Sequence, residues 1–97
     1  MTEQQRFTNV WDAIADTPQQ SLNLKLRSRL TDVLIQRIET EAWNQTEAAQ
    51  RLGVTQPRIS DLFRGKISQF SLDTLVNMLA ALGDDVEFVV KKLPVAS

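Results

Sequence analysis

Cysteine and histidine are both missing from this chain of 97 residues. Their absence removes disulfides, the usual zinc sites, thiol and imidazole nucleophiles and the commonest general base. Glycine is scarce, and no Gly-rich loop is present to cradle a phosphate. Aromatic residues are few. No apolar run is long enough to cross a membrane, and the polar N-terminus does not read as a signal peptide. An enzyme is therefore not expected, nor a cofactor, a metal site, a small-molecule substrate or a membrane partner. A cytoplasmic location is the default expectation. The length suits one domain, small but able to bury a core.

A large excess of positive charge is missing too: the net charge is −1. Its distribution is uneven. Residues 43–70 hold Arg51, Arg58, Arg64 and Lys66 against Glu47 and Asp61, and residues 22–42 are also slightly positive. Residues 1–21 and 71–97 are each net negative. The positive charge thus sits mid-chain. So few cations neutralise few phosphates per subunit, which makes a second subunit useful for binding nucleic acid.

What is present centres on residues 45–64. Their pattern predicts two short helices joined by a tight turn. Asn44 caps the first, with Glu47 placed to complete a capping box. Gly53 supplies the turn's backbone angles. Thr55 caps the second helix, Pro57 falls in its first turn, and Gly65 stops it. Ala48, Ala49, Leu52, Val54, Ile59 and Leu62 are the inward positions, Ala49 being small enough for a close helix crossing. Gln56, Arg58, Ser60, Asp61 and Arg64 point outward, and all can hydrogen-bond. This is the helix-turn-helix pattern, whose second helix enters the DNA major groove.

Around the motif, Thr8 can cap a short helix with Val10, Trp11 and Ile14 as its apolar face. That segment is either an arm for a partner or a piece folded onto its own core. Thr17, Pro18 and Gln20 start a long helix over residues 18–42. Leu22, Leu26, Leu30, Val33, Leu34 and Ile38 recur in it at helical spacing. Lys25, Arg27, Arg29 and Arg37 read as its solvated face, and Trp43 closes the core under the motif. Ser71 caps the next helix, with Phe70 stapled onto Leu75. Leu72, Leu75, Val76, Leu79 and Leu82 form its buried stripe, with Met78 at the margin and Gly83 as the stop. Residues 86–91 alternate and are β-branched, and Pro94 ends them, so one strand is expected there. A lone strand must pair, and Val86, Phe88, Val89 and Val90 are its candidate contacts with a second copy, another protein or the N-terminal segment.

With these residues in place, the chain resembles the Xre-type, lambda/434 repressor-like DNA-binding proteins, and more narrowly their HigA-like antitoxin branch. The resemblance rests on residues 45–62, on Arg64-Gly65-Lys66, on Phe70-Ser71-Leu72, on residues 82–90 and on Asn9-Val10-Trp11. It implies a compact, mainly all-α bundle of about five helices that binds a palindromic operator on double-stranded DNA as a homodimer. It also implies neutralisation of a RelE-like ribonuclease toxin and repression of a shared promoter. By the same resemblance Gln45, Arg64 and Lys66 reach phosphate, while Thr55, Gln56 and Arg58 lie at the groove floor. Pro57 departs from the polar residue usual in its slot and offers only apolar contact. Asp61 is acidic in the recognition helix, so it accepts from a cytosine amino group or pairs with Arg58.

The sequence reading is thus an N-terminal arm (1–16), a helix-turn-helix domain (17–83) and a C-terminal strand and tail (84–97) that pairs in a dimer. Thr55, Gln56, Pro57, Arg58 and Asp61 are the candidate base contacts, with Gln56 suited to adenine and Arg58 to guanine. Gln45, Ser60, Arg64 and Lys66 are the candidate phosphate contacts. The expected function is a transcriptional repressor and antitoxin. The alternatives are a stand-alone phage-type regulator and a toxin-holding protein with weak DNA binding.

Overall fold

The computed structural model describes residues 17–92. The helix expected around Trp11 and the terminal residues 93–97 lie outside that range. Four α-helices are present among the described residues: α1 (Pro18–Thr40), α2 (Gln45–Leu52), α3 (Gln56–Phe63) and α4 (Leu72–Ala81). One 3-10 turn (Ile67–Gln69) joins α3 to α4. The fifth expected helix falls in residues 1–16.

Each helix begins on a capping side chain. Thr17, Asn44, Thr55 and Ser71 accept the backbone N–H of Gln20, Glu47, Arg58 and Thr74 at 3.1, 2.8, 3.4 and 3.1 Å. Each cap satisfies one amide that the helix itself leaves open. At α2 the Glu47 carboxylate is taken by Arg51 Nε at 2.8 Å, so the side chain expected to complete a capping box pairs along the helix instead. The ends are equally regular. A left-handed residue follows every helix: Ala42, Gly53, Gly65 and Gly83. The next amide then reaches back to the last turn, as in Trp43 N to Ile38 O at 3.2 Å and Val54 N to Ala49 O at 3.0 Å. Ala42 is the one non-glycine among them, and its φ of 59° carries strain that glycine avoids.

The core gathers Leu34 and Ile38 of α1, Ala48, Ala49 and Leu52 of α2, Ile59 and Leu62 of α3, and Leu75, Met78 and Leu79 of α4, around Phe70. α1 packs on α4, on the 3-10 turn and on α3, while α2 packs on α3 and α4. Trp43 lies half-buried against this core, as expected. Two expectations need correction. Met78, placed at the margin, is fully buried. In α1 the buried line is Leu24, Thr31, Leu34 and Ile38, whereas Leu22 is 57% and Val33 49% exposed. Among the described residues, the rest of the bundle covers the first of these groups and leaves Leu22 and Val33 open.

Beyond α4, Arg37 Nη1 donates to both carboxylate oxygens of Asp84 at 2.8 Å. That hydrogen bond, and the Asp84 charge behind it, raise the Arg37 pKa, with a smaller contribution from Glu41. The contact ties the start of the C-terminal segment to α1. Val86 then packs half-buried on the core. Phe88 and Val90 stand 66% and 96% exposed. The strand expected over residues 86–91 does not form in the single chain: no strand is present among the described residues. The physical reason is pairing, because a strand's amides and carbonyls are completed only by a neighbour.

Candidate nucleic-acid interface

The interface is built by the α2–α3 corner. Gly53, with φ 70°, turns the chain sharply, and Val54 continues into the core edge. Further along, Ile59 and Leu62 are wholly buried and pin α3 to the bundle. Helical geometry then fixes what is left outside. Gln56, Pro57 and Arg64 are exposed, and Ser60 and Asp61 are half-buried at the flanks. Gln45 is exposed at the first turn of α2. Pro57 has no amide to offer, and its fixed φ suits the first turn of a helix.

Most of the predicted contact residues therefore fall on one edge, and each carries detail that spacing could not supply. The Thr55 hydroxyl is already engaged as the α3 cap. Asp61 faces the Lys66 ammonium at 3.7 Å, so among the described residues its cation is Lys66 and not Arg58. Arg64 is exposed, with no ion-pair partner among the described residues. Arg58 departs most from expectation. Its guanidinium lies 5.1 Å over the Phe70 ring, and Nη1 donates to the Gln69 carbonyl at 3.4 Å. It is half-buried and folded back onto the loop after α3, rather than projecting outward. Such stacking gains where a cation is partly desolvated.

Phe63 was not singled out by the sequence reading, and Arg27 only as one of four cations on a solvated face. Phe63 is an apolar side chain 38% exposed at the end of α3. Arg27, expected on a solvated face, is partly buried and donates through Nη1 to the carbonyls of Ile67 and Phe70, each at 3.4 Å. A signal existed for it: Arg27 stands three residues after Leu24 and four before Thr31, on the line of α1 that turns inward.

Chemically, the edge of α3 offers an amide side chain, a hydroxyl and the exposed Arg64 guanidinium. The DNA major groove, about 12 Å wide, admits such a helix, and an amide side chain can pair bidentately with adenine there. No group of His, Cys, Asp and Glu fit for a metal occurs among the described residues. No helix among them is long and apolar enough to cross a membrane.

Comparison with known proteins concerns the same region. Residues 13–91 match the helix-turn-helix domain family. A solved structure bearing the name of an XRE-family transcriptional regulator is similar in fold, with a TM-score of 0.68. It is 36% identical, over 77% of this chain and 84% of its own. No curated protein matches the chain.

Proposed function

The chain belongs to the XRE-type helix-turn-helix family of DNA-binding transcriptional regulators, and on that premise we propose that it is a sequence-specific repressor that binds a palindromic operator as a homodimer. The observation that carries this reading is the exposed polar edge of α3, held in place by the burial of Ile59 and Leu62. Gln56 reads adenine, and Pro57 contacts a thymine methyl or sugar edge. Arg58 reaches guanine when it leaves the Phe70 ring, and Asp61 accepts from cytosine when it leaves Lys66. Thr55 completes this group. Gln45, Ser60, Arg64 and Lys66 hold the phosphate backbone and set the register.

Dimerisation uses the C-terminal segment. Val86 anchors it on the core, and Phe88, Val89 and Val90 pair with the same residues of a second copy across a two-fold axis. A two-fold dimer matches half-sites about 34 Å apart, one turn of DNA. We further assign the chain the role of antitoxin to a RelE-like ribonuclease toxin, with repression of their shared promoter. The support for this finer reading is the likeness of residues 70–72 and 82–90 to the HigA-like branch.

The test is an anisotropy titration against DNA from upstream of the chain's own gene and against random DNA. Binding to the upstream DNA should be tighter by about a thousandfold or more at physiological salt. Equal affinity for both would contradict sequence-specific repression. Co-expression with the product of the adjacent gene tests the antitoxin role: a complex that co-elutes supports it, and separate elution removes it while leaving the repressor.

A further inference from the structure

The loop after α3 is held by two guanidinium groups from different helices. Arg58 of α3 takes the Gln69 carbonyl. Arg27 of α1 takes the Ile67 and Phe70 carbonyls, across about forty residues of chain. Besides these, the loop rests on the wholly buried Phe70 and on the Lys66 amide, which donates to the Asp61 carbonyl at 3.1 Å. Its 3-10 turn has no side-chain cap, and Lys66, just before it, sits in a turn conformation outside both helix and strand regions. Arg27 is also an unusual occupant of its place. Its Nε is buried without a partner, beside a buried Thr31 hydroxyl that also lacks one among the described residues. A buried, unpaired donor is a cost that an apolar side chain of the same length would avoid.

We propose that Arg27 is a positioning residue for DNA binding: by clamping residues 67–70 from α1 it sets where Lys66 presents its ammonium to the phosphate backbone. The proposal rests on the DNA-binding reading above. Its logic follows from the two clamps. If Arg58 leaves the loop to read a base, the Gln69 carbonyl loses its partner, and Arg27 is the side-chain clamp that stays on the loop's carbonyls. Arg27 therefore acts on affinity through a phosphate contact and leaves sequence preference to α3.

Arg27→Met keeps the length and the apolar stem while removing the donors. In the full chain this variant should stay folded. Its log–log dependence of DNA affinity on salt should become shallower by about one phosphate contact, so that a fourfold change in salt costs about threefold less affinity than in the unaltered protein. The loss should be equal on upstream and random DNA. Combined with Lys66→Ala it should add no further change in slope, because both act through one contact. Amide exchange of residues 67–70 should quicken. A folded Arg27→Met protein with an unchanged slope, or a slope change additive with that of Lys66→Ala, would overturn the proposal. A purely structural role for Arg27 would lower the melting temperature and leave the slope alone. If the unaltered protein shows no salt-dependent DNA binding, the function reading falls. The exchange rates then decide the clamp by themselves: faster exchange upholds it and unchanged exchange removes it.

Discussion

Residues 44–65 and residues 84–92 are both short stretches with apolar residues at regular spacing, yet they end in opposite states. In the first, every helix closes its own ladder and its ends are finished locally by Asn44, Thr55, Gly53 and Gly65. In the second, the fixed points are at its start, where Asp84 pairs with Arg37, its amide donates to the Leu79 carbonyl and Val86 is half-buried, and the residues after them face water. A helix is a bargain struck within one segment, whereas a strand is struck between two. The α2–α3 corner is accordingly complete in a single chain, and the C-terminal segment is the part we propose to pair in a dimer.

The comparison can be broken most forcefully from beneath the corner. Leu62 is wholly buried under α3, so Leu62→Ala should cost roughly 2–5 kcal/mol in urea unfolding. A loss under about 1 kcal/mol would mean that α3 is not anchored by its buried face. Next in size comes the cap. Thr55→Ala should cost about 0.5–2 kcal/mol, because the Arg58 amide loses its acceptor at the mouth of α3. Ala42→Gly should act in the other direction. It relieves a left-handed alanine and should raise stability by up to roughly 1 kcal/mol, read as a shift in the urea midpoint with an unchanged slope. The smallest effect belongs to the C-terminal segment. Val89→Lys should change monomer stability by no more than about 0.5 kcal/mol, since the side chain is exposed. The same change should abolish self-association in sedimentation runs. A variant that still dimerises would place the dimer contact elsewhere.

The same contrast explains how much was legible in the sequence. Thr17, Asn44, Thr55 and Ser71 were readable as caps because a cap is a relation among residues three apart. Gly53, Gly65 and Gly83 were readable as stops for a similar reason. The inward set of α2 and α3 was readable because eight residues leave one apolar face. What escaped depends on distant partners. Leu22 and Val33 share helical spacing with the core residues of α1, and only the arrangement of the other helices decides which stripe they cover. Arg58 looked like an outward reader, but Phe70 and Gln69, eleven or more residues away, draw it back. Arg27 was hidden in the same way, its carbonyl partners lying beyond the motif. The strand over residues 86–91 was legible as a tendency, and no strand forms there among the described residues.

The central claim is that the exposed edge of α3 distinguishes one DNA sequence from another, and Gln56 tests it most cleanly because its side chain is exposed and supports neither the core nor a cap. The measurement is the ratio of affinities for upstream and random DNA, taken for the unaltered protein and for Gln56→Ala at one salt concentration. The account predicts that the ratio falls by the equivalent of about 1–3 kcal/mol while urea unfolding is unchanged. An unaltered ratio in a folded Gln56→Ala protein would contradict it.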